Sequence, residues 1–125
     1  MLLNRIRVYR ISAAPEALAR ILASDPAFAY YVPPENVLGI NTLLRDPASG
    51  DLTTSRRQIR TGTYLSGGND NRVLTPYLVS PMTWYEGKAA TILAYIDQWR
   101  KPILVGGDTL YSDTFMLLNR IRVYR

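Results

Sequence analysis

The first ten residues of this 125-residue chain return unchanged as its last ten. The sequence Met-Leu-Leu-Asn-Arg-Ile-Arg-Val-Tyr-Arg occupies residues 1–10 and again residues 116–125. A tandem-repeat protein would repeat its interior as well, and the residues between the two copies do not repeat. We therefore expect a chain that was cut, permuted or recombined from a longer parent, so each functional motif must be checked for missing parts.

The chain contains no cysteine and no histidine. It therefore has no disulfide, thiolate nucleophile, histidine base or imidazole metal ligand, and any catalysis must use carboxylates, hydroxyls, lysine and a hard metal ion. Its length suits one domain with a single core. No apolar run approaches a membrane span, and residues 1–10 do not resemble a signal peptide, so we expect a cytoplasmic protein without a membrane partner.

The formal net charge of +5 comes mostly from the repeated decamer. Each copy carries three arginines and no acid, so removing one copy leaves 15 − 3 = 12 basic residues against 10 acidic ones. The remaining excess of +2 is too small to indicate a polyanion-binding surface. The charge therefore does not predict a nucleic-acid partner.

Apolar patterning predicts strands that alternate with helices, which favours a three-layer α/β fold with a mostly parallel sheet in one domain, residues 1–125. The predicted strands are residues 5–11, 36–41, 73–79, 103–105 and 121–124. Pro76 indicates that the third of these is an edge strand or an irregular one. A β-hairpin insertion is expected over residues 42–60, and a flexible loop over residues 61–72.

Three helices are predicted between these strands. The first begins near Pro15 and ends at Asp25-Pro26, with one apolar stripe formed by Ala17, Leu18, Ile21 and Leu22. The second covers residues 84–99, with its apolar face formed by Ala89, Ile92, Leu93 and Ile96. A short third helix covers residues 114–119.

Two carboxylates, Asp108 and Asp113, follow the short apolar strand at residues 103–105. Open α/β sheets bind ligands at the carboxyl ends of their strands, and two hard oxygen ligands suit Mg²⁺. In the alternative interpretation one aspartate caps a short helix and the other lies in a loop. The spacing of the two aspartates does not distinguish a metal site from these structural roles.

The run Gly-Gly-Asp-Thr-Leu-Tyr-Ser-Asp at residues 106–113, followed by Met116 and Leu117, resembles the fourth motif of the haloacid dehalogenase superfamily, most of whose members are phosphatases. Residues 8–13 resemble its second motif, and residues 86–88 resemble its third. The resemblance implies that Ser12 and Lys88 bind phosphate and that Asp108 and Asp113 bind Mg²⁺. It also implies catalytic roles for Lys88 and Asp108, and a Rossmann-like sheet.

Further stretches resemble the phosphorylcholine phosphatase-like branch of that superfamily, namely residues 12–16, 33–39, 84–88 and 101–105. This resemblance implies an aromatic cage for a quaternary ammonium group, formed by Trp84, Tyr85, Tyr30 and Tyr31. Purely structural roles stay open for these residues. Ser12 can cap a helix with its hydroxyl, Lys88 can be a solvated helix residue, and the aromatic rings can serve ordinary packing.

The superfamily's first motif, Asp-x-Asp-x-Thr, occurs nowhere in these 125 residues. In the family this motif supplies the nucleophilic aspartate on the central strand of the sheet. The resemblance therefore implies a sheet without that strand, impaired phosphomonoester hydrolysis and weakened Mg²⁺ binding.

The gap left by the first strand can close in two ways. The strand at residues 5–11 can pair directly with residues 103–105, or a second chain can fill the gap. We expect a homodimer or higher oligomer joined through the identical terminal strands. The alternative to a residual phosphatase pocket is a non-catalytic, self-associating structural or engineered fragment.

Overall fold

Residues 6–64, 72–100, 102, 105–107 and 123–124 are described by the computed structural model, which has a mixed α/β fold. They form a parallel pair β1-β2, an antiparallel sheet in the order β4-β3-β5, and a second parallel pair β6-β7. The coarse prediction of an α/β protein is thus confirmed. The elements are β1 (Arg10–Pro15), α1 (Glu16–Ser24), β2 (Val37–Ile40), β3 (Thr42–Arg45), β4 (Leu52–Thr53), α2 (Ser55–Thr61), β5 (Val73–Leu78), α3 (Gly87–Thr91), β6 (Val105–Gly106) and β7 (Val123–Tyr124).

The chain divides into two compact units, Met1–Ser80 and Pro81–Arg125. Each unit is described by itself below, and the single domain expected from the sequence stays a prediction. No helix in the described ranges is long and apolar enough to cross a membrane.

The first unit begins with a β1-α1-β2 crossover, in which Arg10 and Ile11 lie opposite Val37 and Leu38 in a parallel ladder. The strand expected at residues 5–11 in fact begins at Arg10 and continues to Pro15. Its partner β2 starts opposite Arg10, so the residues before Arg10 have no ladder partner on β2. The carbonyl of Val8 instead accepts a hydrogen bond of 2.9 Å from the Asn36 side chain.

Helix α1 ends where the sequence predicts, at Asp25. The Asp25 carboxylate accepts a hydrogen bond of 2.9 Å from the Ala27 backbone, which starts a 3₁₀ turn over Pro26–Phe28. The small core under α1 consists of Ala19, Ala23 and Val37, with Val32 packed against it. A second 3₁₀ turn, Pro34–Asn36, leads into β2, which is buried as its apolar sequence predicts.

The predicted hairpin is correct only in its first half. Strand β3 pairs with β4 through Leu44 and Arg45, and the return strand expected to continue to residue 60 is wrong because Ser55–Thr61 forms helix α2. Thr54 caps this helix by accepting from the Arg57 backbone at 3.1 Å, and Gly62 ends it with a φ of 73°.

Strand β5 pairs antiparallel with the other side of β3 and forms an edge of this sheet, as the position of Pro76 predicts. The flexible segment expected at residues 61–72 lies largely outside the described residues.

The second unit contains a shorter α-helix than predicted. Helix α3 covers only Gly87–Thr91 and continues as a π-helical turn over Ile92–Ile96. The wider turn breaks the 3.6-residue period, so Ile92 is buried whereas Leu93 is exposed. Strand β6 pairs in parallel with β7, which comes from the second copy of the repeated decamer. The helix predicted at 114–119 and residues 103, 104, 121 and 122 lie outside the described residues.

The turn between β3 and β4 should loosen in acid. The backbone N–H groups of Ala48 and Ser49 donate to the Asp46 carboxylate at 2.8 and 3.2 Å and hold the pKa of Asp46 below its ordinary value of 3.8. Arg72 lowers this pKa further. A carboxyl whose pKa is lower in the folded state stabilises the fold above its unfolded pKa, and this contribution is lost as the pH falls through the folded value.

We therefore expect the amide resonances of Ala48 and Ser49 to move and broaden in an NMR titration as the pH falls below about 3.8, the ordinary Asp46 pKa. The matched control is Asp46→Asn, whose side-chain oxygen still accepts hydrogen bonds but does not titrate. An identical acid response in this variant would contradict the assignment.

Candidate functional site

Ser12 lies within β1, and its side chain is half-buried. Its hydroxyl oxygen accepts a hydrogen bond of 3.1 Å from the Ala14 backbone N–H, two residues farther along the strand. This contact fixes the hydroxyl at the point where β1 leads into α1. Ser12 therefore has a local backbone contact, and its phosphate-binding role stays a prediction.

Lys88 is the second residue of α3, which begins at Gly87 and not at Trp84 as the apolar pattern predicts. A tight turn precedes it, in which the Gly87 backbone donates to the Trp84 carbonyl at 2.8 Å. The Met82 carbonyl packs directly over the Gly87 Cα, where a Cβ would collide with it. Only glycine fits there, and this close approach places Lys88 at the start of the helix.

The four aromatic residues of the suggested cage are all exposed. Tyr30 and Tyr31 belong to the first unit, and Trp84 and Tyr85 belong to the second. Tyr31 and Tyr85 both have a left-handed backbone, with φ values of 53° and 45°. Exposure fits a ligand-binding role and ordinary surface packing equally well, so the cage stays a prediction.

The two predicted metal ligands, Asp108 and Asp113, lie outside the described residues. Of the two predicted phosphate ligands, Ser12 belongs to the first unit and Lys88 to the second. Within the described part of the chain, no three acidic side chains converge to form a metal cluster.

The best-defined polar cluster is one that the sequence did not predict, and it is centred on Glu16 at the start of α1. The Glu16 side chain is 2% exposed, and Arg20 and Arg56 approach its two carboxylate oxygens at 2.6 and 2.7 Å. The Ser55 hydroxyl donates to the same carboxylate at 3.1 Å, and the Gly39 backbone N–H donates at 3.0 Å. Both carboxylate oxygens are thus hydrogen-bonded, as a buried charge requires.

The two arginines extend this cluster to the surrounding backbone. Arg20 donates to the carbonyls of Pro34 and Val37 at 3.1 and 3.3 Å, and its guanidinium lies 5.4 Å from the centre of the Tyr64 ring. Arg56 donates to the Gly39 carbonyl at 3.0 Å. The cluster therefore joins α1, β2 and α2.

Gly39 is required for this arrangement. A Cβ at Gly39 would lie 2.7 Å from the Glu16 Cα and 2.8 Å from the Ala14 carbonyl oxygen. The absence of a side chain lets β2 approach the junction of β1 and α1 closely enough for the Gly39 N–H to reach Glu16.

Part of this cluster could have been detected in the sequence. Glu16 and Arg20 are four residues apart, which is the spacing of an ion pair on a helix. The predicted hairpin over residues 42–60 puts Arg56 on a strand, and this is wrong, because Arg56 lies on α2 with its side chain 8% exposed. Its partner Glu16 is 40 residues away in sequence, and no local pattern indicates such a pair.

Comparison with known proteins defines the class of this chain. No protein-family model matches it. A sequence match nevertheless identifies the chain as a homologue of haloacid dehalogenase-type phosphatases, which confirms the kinship that the motifs indicate. The relative is the phosphorylcholine phosphatase of Pseudomonas aeruginosa, 53% identical over 116 residues, or 93% of this chain and 33% of that protein. The chain thus spans about a third of its relative's length.

Solved structures include a similar fold. An example is the crystal structure of a conserved, functionally unknown protein from Anaerococcus prevotii, with a TM-score of 0.58 and 28% sequence identity. The similarity covers 87% of this chain and 23% of that protein. Both comparisons therefore align most of this chain with a part of a longer protein.

Glu16→Gln should strongly destabilise the first unit, because it leaves two buried arginines without their counter-charge. Removing one partner of a buried ion pair costs about 3–5 kcal/mol, a large share of the roughly 5–15 kcal/mol by which a domain is stable. Urea denaturation followed by circular dichroism measures the loss.

The matched control is Glu35→Gln, the same substitution at an exposed glutamate. It should change the free energy of unfolding by less than about 0.5 kcal/mol. Equal unfolding midpoints for the two variants would show that the Glu16 cluster does not hold the fold.

Proposed function

We propose that this chain is a phosphatase-derived module that binds phosphate and Mg²⁺ but does not by itself hydrolyse phosphate esters. The observation that carries the proposal is the 53% identity to a phosphorylcholine phosphatase over 93% of the chain. The proposal includes a Rossmann-like three-layer sheet without its usual first strand.

Ser12 and Lys88 supply the phosphate contacts in this proposal. The Ser12 hydroxyl donates to a phosphoryl oxygen, and the Lys88 ammonium group neutralises the phosphate charge. The close packing of Gly87 under Met82 supports this role, since it fixes where the lysine side chain begins.

Asp108 and Asp113 would hold the Mg²⁺ ion. A pair of carboxylates fits this metal, which binds through few protein oxygens and completes its shell with water and phosphate. When bound, the ion supplies further positive charge beside the phosphate.

The proposal excludes turnover because the covalent route needs an attacking carboxylate. Positioning and charge neutralisation alone leave the bond-breaking step undone. No Asp-x-Asp sequence occurs among the 125 residues to supply that carboxylate. The proposed module therefore holds a phosphate ester without hydrolysing it.

Calorimetric titration with inorganic phosphate and Mg²⁺ tests the proposal. Lys88→Ala should weaken phosphate binding at least tenfold, or about 1.4 kcal/mol, since the ammonium group is lost. Ser12→Ala should weaken it less, and Asp108→Asn should weaken Mg²⁺ binding. The control is Lys101→Ala, at the chain's other lysine.

Absence of binding heat with the unmodified chain would contradict the proposal and favour a non-catalytic structural fragment. A phosphatase assay with p-nitrophenyl phosphate and Mg²⁺ is the second measurement, and we expect no turnover. Robust hydrolysis that Asp108→Asn leaves unchanged would refute the inherited site altogether.

A second candidate function is self-association through exchanged terminal strands. The observation in its favour is that β7, from the second decamer, pairs in parallel with β6. The first decamer carries the same Val-Tyr sequence at residues 8 and 9, so it can occupy the same place on β6 of another chain. This proposal predicts a homodimer or a higher oligomer.

Light scattering during size-exclusion chromatography measures that oligomeric state. We expect a dimer or larger species, and Val123→Pro should change its mass because proline removes a ladder hydrogen bond. Val79→Pro, outside both decamers, is the control. A monomer whose mass does not depend on concentration would contradict strand exchange.

A further inference from the structure

Asn41 is a buried residue whose side-chain amide nitrogen has no partner. It follows β2 directly and is 3% exposed. In the described part of the chain, no hydrogen-bond acceptor lies within reach of its Nδ2 atom. A buried donor left unpaired destabilises a fold, so native proteins seldom keep one without a use. Asn41 is therefore a candidate for binding a ligand.

The sheet holds the backbone of Asn41 in place. Asn41 is the single residue between β2 and β3, and its carbonyl oxygen accepts a hydrogen bond of 2.8 Å from the Val79 N–H. This bond lies next to the pair of Thr42 and Leu78 in the antiparallel ladder of β3 and β5. The position of Asn41 is thus set by regular structure on both sides.

The parallel ladder of β1 and β2 is irregular at Ser12. Ser12 and the two residues after it lie opposite Gly39 alone, and bulges in a ladder are common next to active sites, where they redirect side chains. The ladder resumes with Pro15 opposite Ile40, the residue before Asn41. Ser12 and Asn41 therefore lie near the carboxyl end of the same parallel pair, where open α/β sheets bind their ligands.

Gly39 shows which face of β2 Asn41 shares. Alternate residues of an extended strand project to the same face, and Gly39 and Asn41 are two residues apart. A Cβ at Gly39 would lie 2.8 Å from the Ala14 carbonyl oxygen and 2.9 Å from the Glu16 backbone nitrogen. Asn41 is therefore on the face of β2 that the junction of β1 and α1 covers, beside the strand that carries Ser12.

The charge of the surroundings favours an anion. The Glu16 cluster contains two guanidinium groups and one carboxylate, so it carries one more positive charge than negative. Arg56 of this cluster donates to the carbonyl of Gly39 at 3.0 Å, two residues before Asn41. A buried excess of positive charge stabilises a nearby anion, because little water screens it. The acceptor that suits the Asn41 amide is therefore an anionic oxygen.

We propose that the Asn41 amide donates a hydrogen bond to a phosphoryl oxygen of the phosphate ester that Ser12 contacts. The inference rests on the proposed function and adds a third phosphate-binding residue to Ser12 and Lys88. An amide N–H suits this role because phosphoryl oxygens accept hydrogen bonds, and such bonds to a charged acceptor are the strong ones. The donor stays unpaired until phosphate binds.

Asn41→Leu tests the proposal, because leucine has a similar size and no polar atom. Calorimetric titration with inorganic phosphate and Mg²⁺ should show phosphate binding weakened about tenfold, the effect of losing one hydrogen bond to a charged acceptor. Urea denaturation of the same variant should give a midpoint equal to or above that of the unmodified chain, since no buried donor is left unpaired. A purely structural role for Asn41 predicts the opposite, a lower midpoint with unchanged phosphate binding.

The matched control is Gln58→Leu, at another buried amide of the first unit, which is 5% exposed. Its unpaired atom is the acceptor Oε1, which cannot donate to a phosphoryl oxygen, so phosphate binding should not change. NMR of the unmodified chain is the second measurement. The side-chain amide signals of Asn41 should shift during the phosphate titration, and those of Gln58 should not.

The proposal is overturned if Asn41→Leu binds phosphate as tightly as the unmodified chain, if Gln58→Leu loses as much affinity, or if the Asn41 amide signals do not move. Should Asn41→Leu fail to fold, the NMR titration decides. If Lys88→Ala weakens phosphate binding and Asn41→Leu does not, this inference fails and the proposed function stands. If the unmodified chain binds no phosphate, both fail.

Discussion

The buried carboxylate of Glu16 holds three elements of the first unit in one arrangement. It accepts from side chains of α1 and α2 and from the backbone of β2, through Arg20, Arg56, Ser55 and Gly39. A carboxylate removed from water keeps its charge only when such donors surround it, so each donor is required. Gly39 completes the set because its missing side chain lets β2 approach the start of α1.

The Glu16 cluster also determines which side chains of α1 lie at the surface of the first unit. Ser12 lies four residues before Glu16, on the strand that leads into the same helix. The rotation of α1 follows from the same contacts, and with it the outward direction of Leu18 and Ile21.

The relationship to a phosphorylcholine phosphatase gives these features a common origin. The stretch that matches this chain is a third of that protein. On α1, Leu18 and Ile21 face outward, and among the described residues β1 pairs with β2 alone. The proposed binding without turnover fits this relationship, because hydrolysis needs the complete set of catalytic residues.

The sequence by itself determined the features that depend on neighbouring residues. Asp25 and Pro26 end α1, Pro76 marks an edge strand, and the spaced motifs reveal the phosphatase kinship. Only the tertiary structure decided which face of α1 is buried, and it also decided that Arg56 lies on a helix and pairs with Glu16. The spacing of apolar residues shows that they share one face of a helix, but it does not show whether that face is buried or exposed. Which face of α1 is buried depends on the ion pair between Glu16 and Arg56, which are 40 positions apart in sequence. This pair forms only when the chain has folded.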